Sequence, residues 1–228
     1  MRISVFQPDP ICPLARMHTW LEETGAQVDL IELFHELRFP THTHGIIVLG
    51  GRMDAQDDTI SWLAPLKQYL CSITAPILGV CLGHQILAEA FGGQLHIADP
   101  KGPEDGAFRV HFHPAATDDP VVGAMTHASN IMCALSHYDS VACLPPGDVE
   151  LAYSEKYLQA FRLGNRWGVQ FHPEVTPTIM GQWWANTGGD AQEMEARMRA
   201  VDSDIIRGGR GLTHGFVEFC QQLHSETR

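Results

Sequence analysis

The sequence predicts an α/β protein: a doubly wound, mostly parallel sheet with flanking helices, and additional antiparallel strands in its second half. Three observations carry this. In the first half, short aliphatic runs alternate with longer stretches of helical periodicity, the pattern of a parallel sheet crossed by helices. From residue 107 onward, strand-like runs follow one another with little helical material between them. Between the two halves, PILGVCLGHQILAEAFGG (76–93) passes from an apolar run to a helical pattern through a cysteine flanked by glycines, a strand–turn–helix signature.

The elements follow in order. RISVFQ (2–7) reads as a strand, and LARMHTWLEETGA (14–26) as a helix stopped at Gly25. QVDLIELF (27–34) and HGIIVLGG (44–51) are the second and third strands, and TISWLAPLKQYLCSIT (59–74) is a helix. Ile77, Leu78 and Val80 form a short buried strand; Ile86, Leu87, Ala90 and Phe91 then recur at helical spacing. AFRVHFHP (107–114), NIMCALS (130–136), VELAYSE (149–155), YLQAFRLG (157–164) and RWGVQFHPE (166–174) are strands. TPTIMGQWWANTG (176–188) and DAQEMEARMRAVDSDII (190–206) are helical, the second opened by Asp190 and Glu193 as a capping pair. The last helix, THGFVEFCQQLH (213–224), comes after the glycine-rich RGGRG. With no disordered linker, repeat or low-complexity tract, residues 1–228 read as a single domain.

Composition narrows the function. A formal net charge of −12 argues against nucleic acid as the main partner, since phosphate binding needs a concentrated basic patch. No stretch reaches transmembrane length and the N-terminus lacks an apolar leader, so a soluble, cytoplasmic protein is expected, with no membrane association. The six cysteines form no C-x-x-C pair or regular framework, which favours reduced thiols. Thirteen histidines include the spaced pairs His111/His113 and His42/His44, but neither has a carboxylate or cysteine at metal spacing, so no metal is expected. The Trp183–Trp184 doublet either covers the sheet or lines an interface.

Among the cysteines, only Cys81 has a nucleophile's context. Gly79 and Gly83 allow a sharp turn, and the following helix directs its N-terminal amides and positive dipole end at the sulfur. A thiol of ordinary pKa is only a few per cent thiolate near pH 7, so it needs a histidine and an orienting acid. WGVQFHPEV (167–175) supplies both. Val169 and Phe171 alternate as a buried strand would, and Pro173 biases His172 toward extended backbone, where His172 and Glu174 point the same way. Cys81, His172 and Glu174 make a candidate triad at strand ends, where active sites of open parallel sheets lie.

GVCLGHQILAEAFGG followed by WGVQFHPE resembles the class I glutamine amidotransferase family of the Cys–His–Glu type, and within it the free-standing members similar to the amidotransferase domain of GMP synthase. The resemblance implies a flavodoxin-like α/β/α domain that hydrolyses the side-chain amide of glutamine through a γ-glutamyl thioester and releases ammonia, with no cofactor. It implies Cys81 as nucleophile, His172 as acid and base, and Glu174 as its orienter. It further implies an oxyanion hole from the amides of Leu82 and of Gly51 in VLGG, with Gly50 adjoining. A plain strand-ending turn accounts for those glycines as well. Family members usually follow the paired glycines with proline; here Arg52, Met53 and Asp54 follow. Gln85 matches a substrate-holding glutamine, and SHYD (136–139) resembles the family's S-H-x-D segment, which assigns Ser136, His137 and Tyr138 to substrate contact. His137 reads equally as a hydrogen-bonded structural histidine, and His84 as packed.

The implied partners are a small-molecule substrate, glutamine or a γ-glutamyl compound, and a separate synthase subunit that takes up the ammonia. A free-standing hydrolase of other γ-glutamyl amides is the alternative, and a catalytically silent regulatory protein a further one.

Overall fold

The computed structural model describes residues 1–226. In chain order the elements are β1 (Arg2–Gln7), α1 (Ala15–Glu23), β2 (Gln27–Glu32), β3 (Gly45–Val48), α2 (Leu63–Ser72), β4 (Ile77–Val80) and α3 (Leu82–Ala90). Next come β5 (Gln94–His96), β6 (Glu104–Phe112), the short α4 (Pro114–Thr117), a 3-10 turn (Val122–Met125), β7 (Asn130–His137) and β8 (Ser140–Cys143). The chain continues through β9 (Val149–Tyr153), β10 (Leu158–Leu163), β11 (Arg166–Val169), α5 (Pro177–Asn186), α6 (Ala191–Arg199) and α7 (Asp202–Glu226). No helix among the described residues is long and apolar enough to cross a membrane.

Nine strands form one sheet in the order β2-β1-β3-β4-β11-β10-β9-β6-β7, and β5 with β8 forms a separate two-stranded ribbon. Pairing is parallel from β2 through β11 and antiparallel from β11 to β7. The predicted α/β class, with its parallel first half and antiparallel second half, is the observed one. Successive side chains of a strand face opposite ways. Ile47 and Leu49 therefore join a core with Met17, Leu21, Phe216 and Val217 under α1 and α7. Ile46 and Val48 join the core under α2 and α3 with Leu66, Leu70, Leu82 and Ile86. Those two layers are what doubly wound means in this chain.

The antiparallel half curls back on the parallel one. The amide of His172, just past β11, donates to the Ala134 carbonyl of β7 at 2.8 Å, although β7 is four strands away in sheet order. This closure brings the far edge of the sheet to the end of β4.

Three expectations need correction. The ribbon strands β5 and β8 have no counterpart among the predicted elements. The run 190–206 is interrupted at Ala200–Val201, where α6 ends and α7 begins. And RGGRG lies inside α7 rather than outside a helix. A Cβ on Gly209 would stand 2.5 Å from the Pro173 carbonyl oxygen and 2.8 Å from the Trp20 ring, and one on Gly211 2.8 Å from the Ala124 carbonyl oxygen. The glycines let α7 lie directly against the loop that carries His172. Asp190 does cap α6, accepting from the amides of Gln192 (2.8 Å) and Glu193 (3.2 Å).

Candidate active site

Cys81 links β4 to α3 with φ 51° and ψ −104°, in the positive-φ region that non-glycine residues rarely occupy. Its amide donates to the Val169 carbonyl at 2.8 Å, so the turn is tied to the end of β11. The flanking glycines are required by contact. A Cβ on Gly79 would fall 2.4 Å from the Gly83 carbonyl oxygen, and one on Gly83 2.1 Å from the Val48 carbonyl oxygen. Leu82 begins α3, so its amide is one of the donors that a helix's first turn leaves without an intrahelical acceptor.

β11 ends at Val169, and His172 lies three residues beyond it rather than at the strand's last position. The His172 ring is buried, and Nδ1 lies 2.8 Å from Glu174 Oε1, itself buried. Burial pulls the ring's pKa down. The charges of Cys81 and Glu174 and their hydrogen bonds outweigh that pull and raise it to about 10. Gly50 is the packing joint of the pair: a Cβ there would meet His172 Cε1 at 2.7 Å and Cys81 Cβ at 3.5 Å. A Cβ on the adjoining Gly51 would meet the Leu82 side chain at 2.9 Å, so the β3 loop lies against the start of α3.

Cys81, His172, Gly51, Gln85, Ser136, His137 and Tyr138 all line one cavity of about 340 Å³. Gly50, Leu82 and Glu174 stand behind its surface. Cys81 Sγ points at the Ser136 carbonyl, 3.8 Å away. Gln85 is committed to the protein, its Nε2 donating to the Asp139 carbonyl (3.1 Å) and to Gln170 Oε1 (3.2 Å). His137 is likewise engaged, between the Asp139 carbonyl (3.0 Å at Nδ1) and Glu104 Oε2 (3.3 Å at Nε2). Tyr138 is exposed at the cavity's edge. His84 is buried against Phe161, and burial holds its pKa down to about 3.

Several lining residues have no site role assigned from the sequence, including Trp183, read there only as part of a doublet that covers the sheet or lines an interface. The Trp183 ring meets His172 edge-on at 4.8 Å, and its Nε1 donates to the Ile11 carbonyl at 2.9 Å. Asp105 pairs with Ser136 across β6 and β7, and burial raises its carboxyl above the ordinary value. Cys12 lines the same cavity, its thiol pushed up by burial and then by Cys81. None of these stands in a recognisable spacing; only the tertiary fold collects them. A thiol at a helix start, an imidazole held by a carboxylate and glycine-lined amides together suit nucleophilic attack on a carbonyl.

Comparison with known proteins agrees with this architecture. The family described as Glutamine amidotransferase class-I matches residues 16–188. The glutamine-hydrolyzing GMP synthase subunit from Halobacterium salinarum is 33% identical over 141 residues, covering 60% of this chain and 70% of that protein. The corresponding GMP synthase subunit from Methanosarcina barkeri is 38% identical over 117 residues, covering 50% of this chain and 58% of its own length. The glutamine-hydrolyzing GMP synthase of Xanthomonas campestris is 31% identical over 188 residues, 73% of this chain but only 35% of that protein. In fold, the chain is similar to a glutamine amidotransferase from Thermotoga maritima, with TM-score 0.79, 23% identity and coverage of 96% and 97%. A glutamine amidotransferase from Methylobacillus flagellatus gives TM-score 0.80, 22% identity and coverage of 95% and 94%. With three quarters of its length matched by the family, the chain belongs to the class I glutamine amidotransferases.

Proposed function

We propose that residues 1–228 act as one domain that hydrolyses the side-chain amide of glutamine to glutamate and ammonia through a thioester on Cys81. The observation that carries this reading is the buried His172–Glu174 pair at 2.8 Å, packed through Gly50 against Cys81 in its positive-φ turn. Cys81 thiolate attacks the amide carbon, and the amides of Gly51 and Leu82 receive the developing negative oxygen. His172 gives its proton to the departing nitrogen, which leaves as ammonia. A water then gives a proton to His172 and attacks the thioester, releasing glutamate and restoring the thiolate–imidazolium pair. Glu174 keeps the ring oriented and favours its charged form throughout. The relatives named as synthase subunits support a separate synthase partner as the consumer of ammonia.

A second reading has its own support. The cavity of about 340 Å³ is lined by Ile11, Arg52 and the end of α5 as well as by Cys81 and His172. Trp183 of α5 stands against the His172 ring, and Asn186 and Thr187 at the end of that helix line the same cavity. A substituent on the γ-nitrogen would lie there, which favours γ-glutamyl amides of larger amines. Glutamate release from glutamine and from a panel of γ-glutamyl amines, beside Cys81→Ala, tests both. Turnover of glutamine alone supports the first reading and preference for a substituted amide the second. Failure of Cys81 to react with a glutamine-like electrophile would overturn both.

A further inference from the structure

The loop after β3 carries Arg52 where the family resemblance leads one to expect proline, and Arg52 is bound to a carboxylate that lies outside the cavity lining. Asp9 is 1% exposed at its side chain, whereas Arg52 is 67% exposed. Oδ2 of Asp9 accepts from the Arg52 amide (3.2 Å) and Nε (2.7 Å), and Oδ1 accepts from Arg52 Nη2 (3.1 Å) and from the Ile11 amide (3.1 Å). A forked guanidinium on a buried carboxylate, with the backbone amide added, is a geometrically specific attachment and not a loose surface pair.

The attachment fastens the parts of the site to one another. A Cβ on Gly51 would meet Asp9 Cβ at 3.4 Å on one side and the Leu82 side chain at 2.9 Å on another. Gly51 is thus held between the Asp9 side chain and the start of α3. On its other flank Asp9 orders the 9–12 turn: its carbonyl accepts from the Cys12 amide (3.0 Å) and Gln7 Nε2 (3.1 Å). That turn presents the Ile11 carbonyl to Trp183, and Trp183 backs the His172 ring.

We propose that Asp9 is a positioning residue that acts through Arg52: the pair sets the direction of the Gly51 amide toward the oxyanion. This rests on the reading of Gly51 and Leu82 as oxyanion donors. A donor that must point within a few tenths of an ångström is worth about 10²–10³ in rate, so a loosened loop shows in the chemistry before it shows in binding.

The test compares two reagents on the full chain, neither of which needs turnover. A chloromethyl ketone analogue of glutamine places its carbonyl oxygen where the oxyanion forms, and the Cys81 thiolate displaces chloride to give a thioether. Iodoacetamide alkylates the same sulfur by direct displacement of iodide, with no oxyanion. In Asp9→Asn and Arg52→Ala, the rate constant for chloroketone labelling should fall about ten- to a hundredfold at saturation, with its half-saturating concentration within about threefold. Iodoacetamide labelling should stay within about twofold of wild type. The double variant should be no slower than either single one, and Arg52→Lys should recover part of the loss. Arg52→Ala keeps the Ile11 bond to Asp9, so it serves even if Asp9→Asn folds poorly. Unchanged chloroketone labelling in Arg52→Ala, equal losses with both reagents, or multiplied losses in the double variant would each overturn the proposal. A wild-type chain that iodoacetamide labels and the chloroketone does not would instead defeat the oxyanion reading beneath it.

Discussion

At the scale of single residues, the roles proposed for Cys81, His172 and Glu174 differ by environment. Cys81 holds its turn geometry at the cost of a strained backbone at φ 51°, fixed by its amide bond to Val169. Replacing it by alanine should reduce glutamate release to background, a loss of at least about 10³-fold, with thermal stability little changed. Glu174→Gln keeps the shape but removes the charge that favours the imidazolium. A loss of about 10⁴-fold in kcat with a near-normal KM is expected, by analogy with amide replacement of a triad carboxylate. The His172 titration has a stability consequence with a definite sign. Its pKa of about 10 in the folded chain lies above the unfolded value of about 6.5. The stabilisation from its partners is therefore complete below about pH 6.5 and is lost as pH rises through about 10. The difference in urea midpoint between wild type and His172→Asn should shrink from pH 6 to pH 10.5, and a constant difference would show that His172 is not held protonated. The candidate triad is legible in the sequence because Cys81 stands in a glycine-flanked turn and His172 and Glu174 flank Pro173, although His172 lies past the end of β11. Asp9, Arg52 and Trp183 are not, because their roles come from contacts between segments far apart in sequence.

At the scale of elements, periodicity locates nearly every strand and helix, and it fails where a residue's local preference is overruled by a neighbour. RGGRG shows this best. Glycine weakens a helix by about 1 kcal/mol against alanine in isolation, which is why the run reads as an interruption. In α7 it is what allows the helix to touch Pro173 and Trp20, and tertiary packing outweighs propensity. The sign of a substitution follows. Gly209→Ala should gain helix propensity yet destabilise the protein by about 1–3 kcal/mol through overpacking, lowering the melting temperature by about 2–12 °C. It should also slow turnover, since the contact lies beside the His172 loop. A stabilised Gly209→Ala variant would show that α7 is free to shift. The β5–β8 ribbon is illegible for a different reason. Its strands are three and four residues long, too short for alternation to rise above the surrounding turns.

At the scale of the whole molecule, the site lies on the seam between two kinds of sheet. β4 supplies the Cys81 turn and β3 its glycine loop from the parallel half, while Ser136 and His137 come from β7 at the antiparallel edge. The hydrogen bond from His172 to Ala134 fastens the seam from the third direction. Neither half can assemble the cavity alone, and the two large cores share the strands between them: β3 and β4 contribute side chains to both faces. A core divided between independent units would not alternate in this way along single strands. One cooperative transition is therefore expected in urea. Each face carries its own tryptophan reporter, Trp167 among the residues under α7 and Trp62 among those under α2 and α3. Phenylalanine variants that leave one reporter at a time should melt at the same midpoint as the far-ultraviolet signal and as Cys81 labelling by iodoacetamide. An earlier loss at Trp167 than at Trp62 would mean that the face under α7 opens first. That face would then be the molecule's weakest joint, and because Gly209 of α7 packs on the Pro173 carbonyl, its opening would free the loop that carries His172.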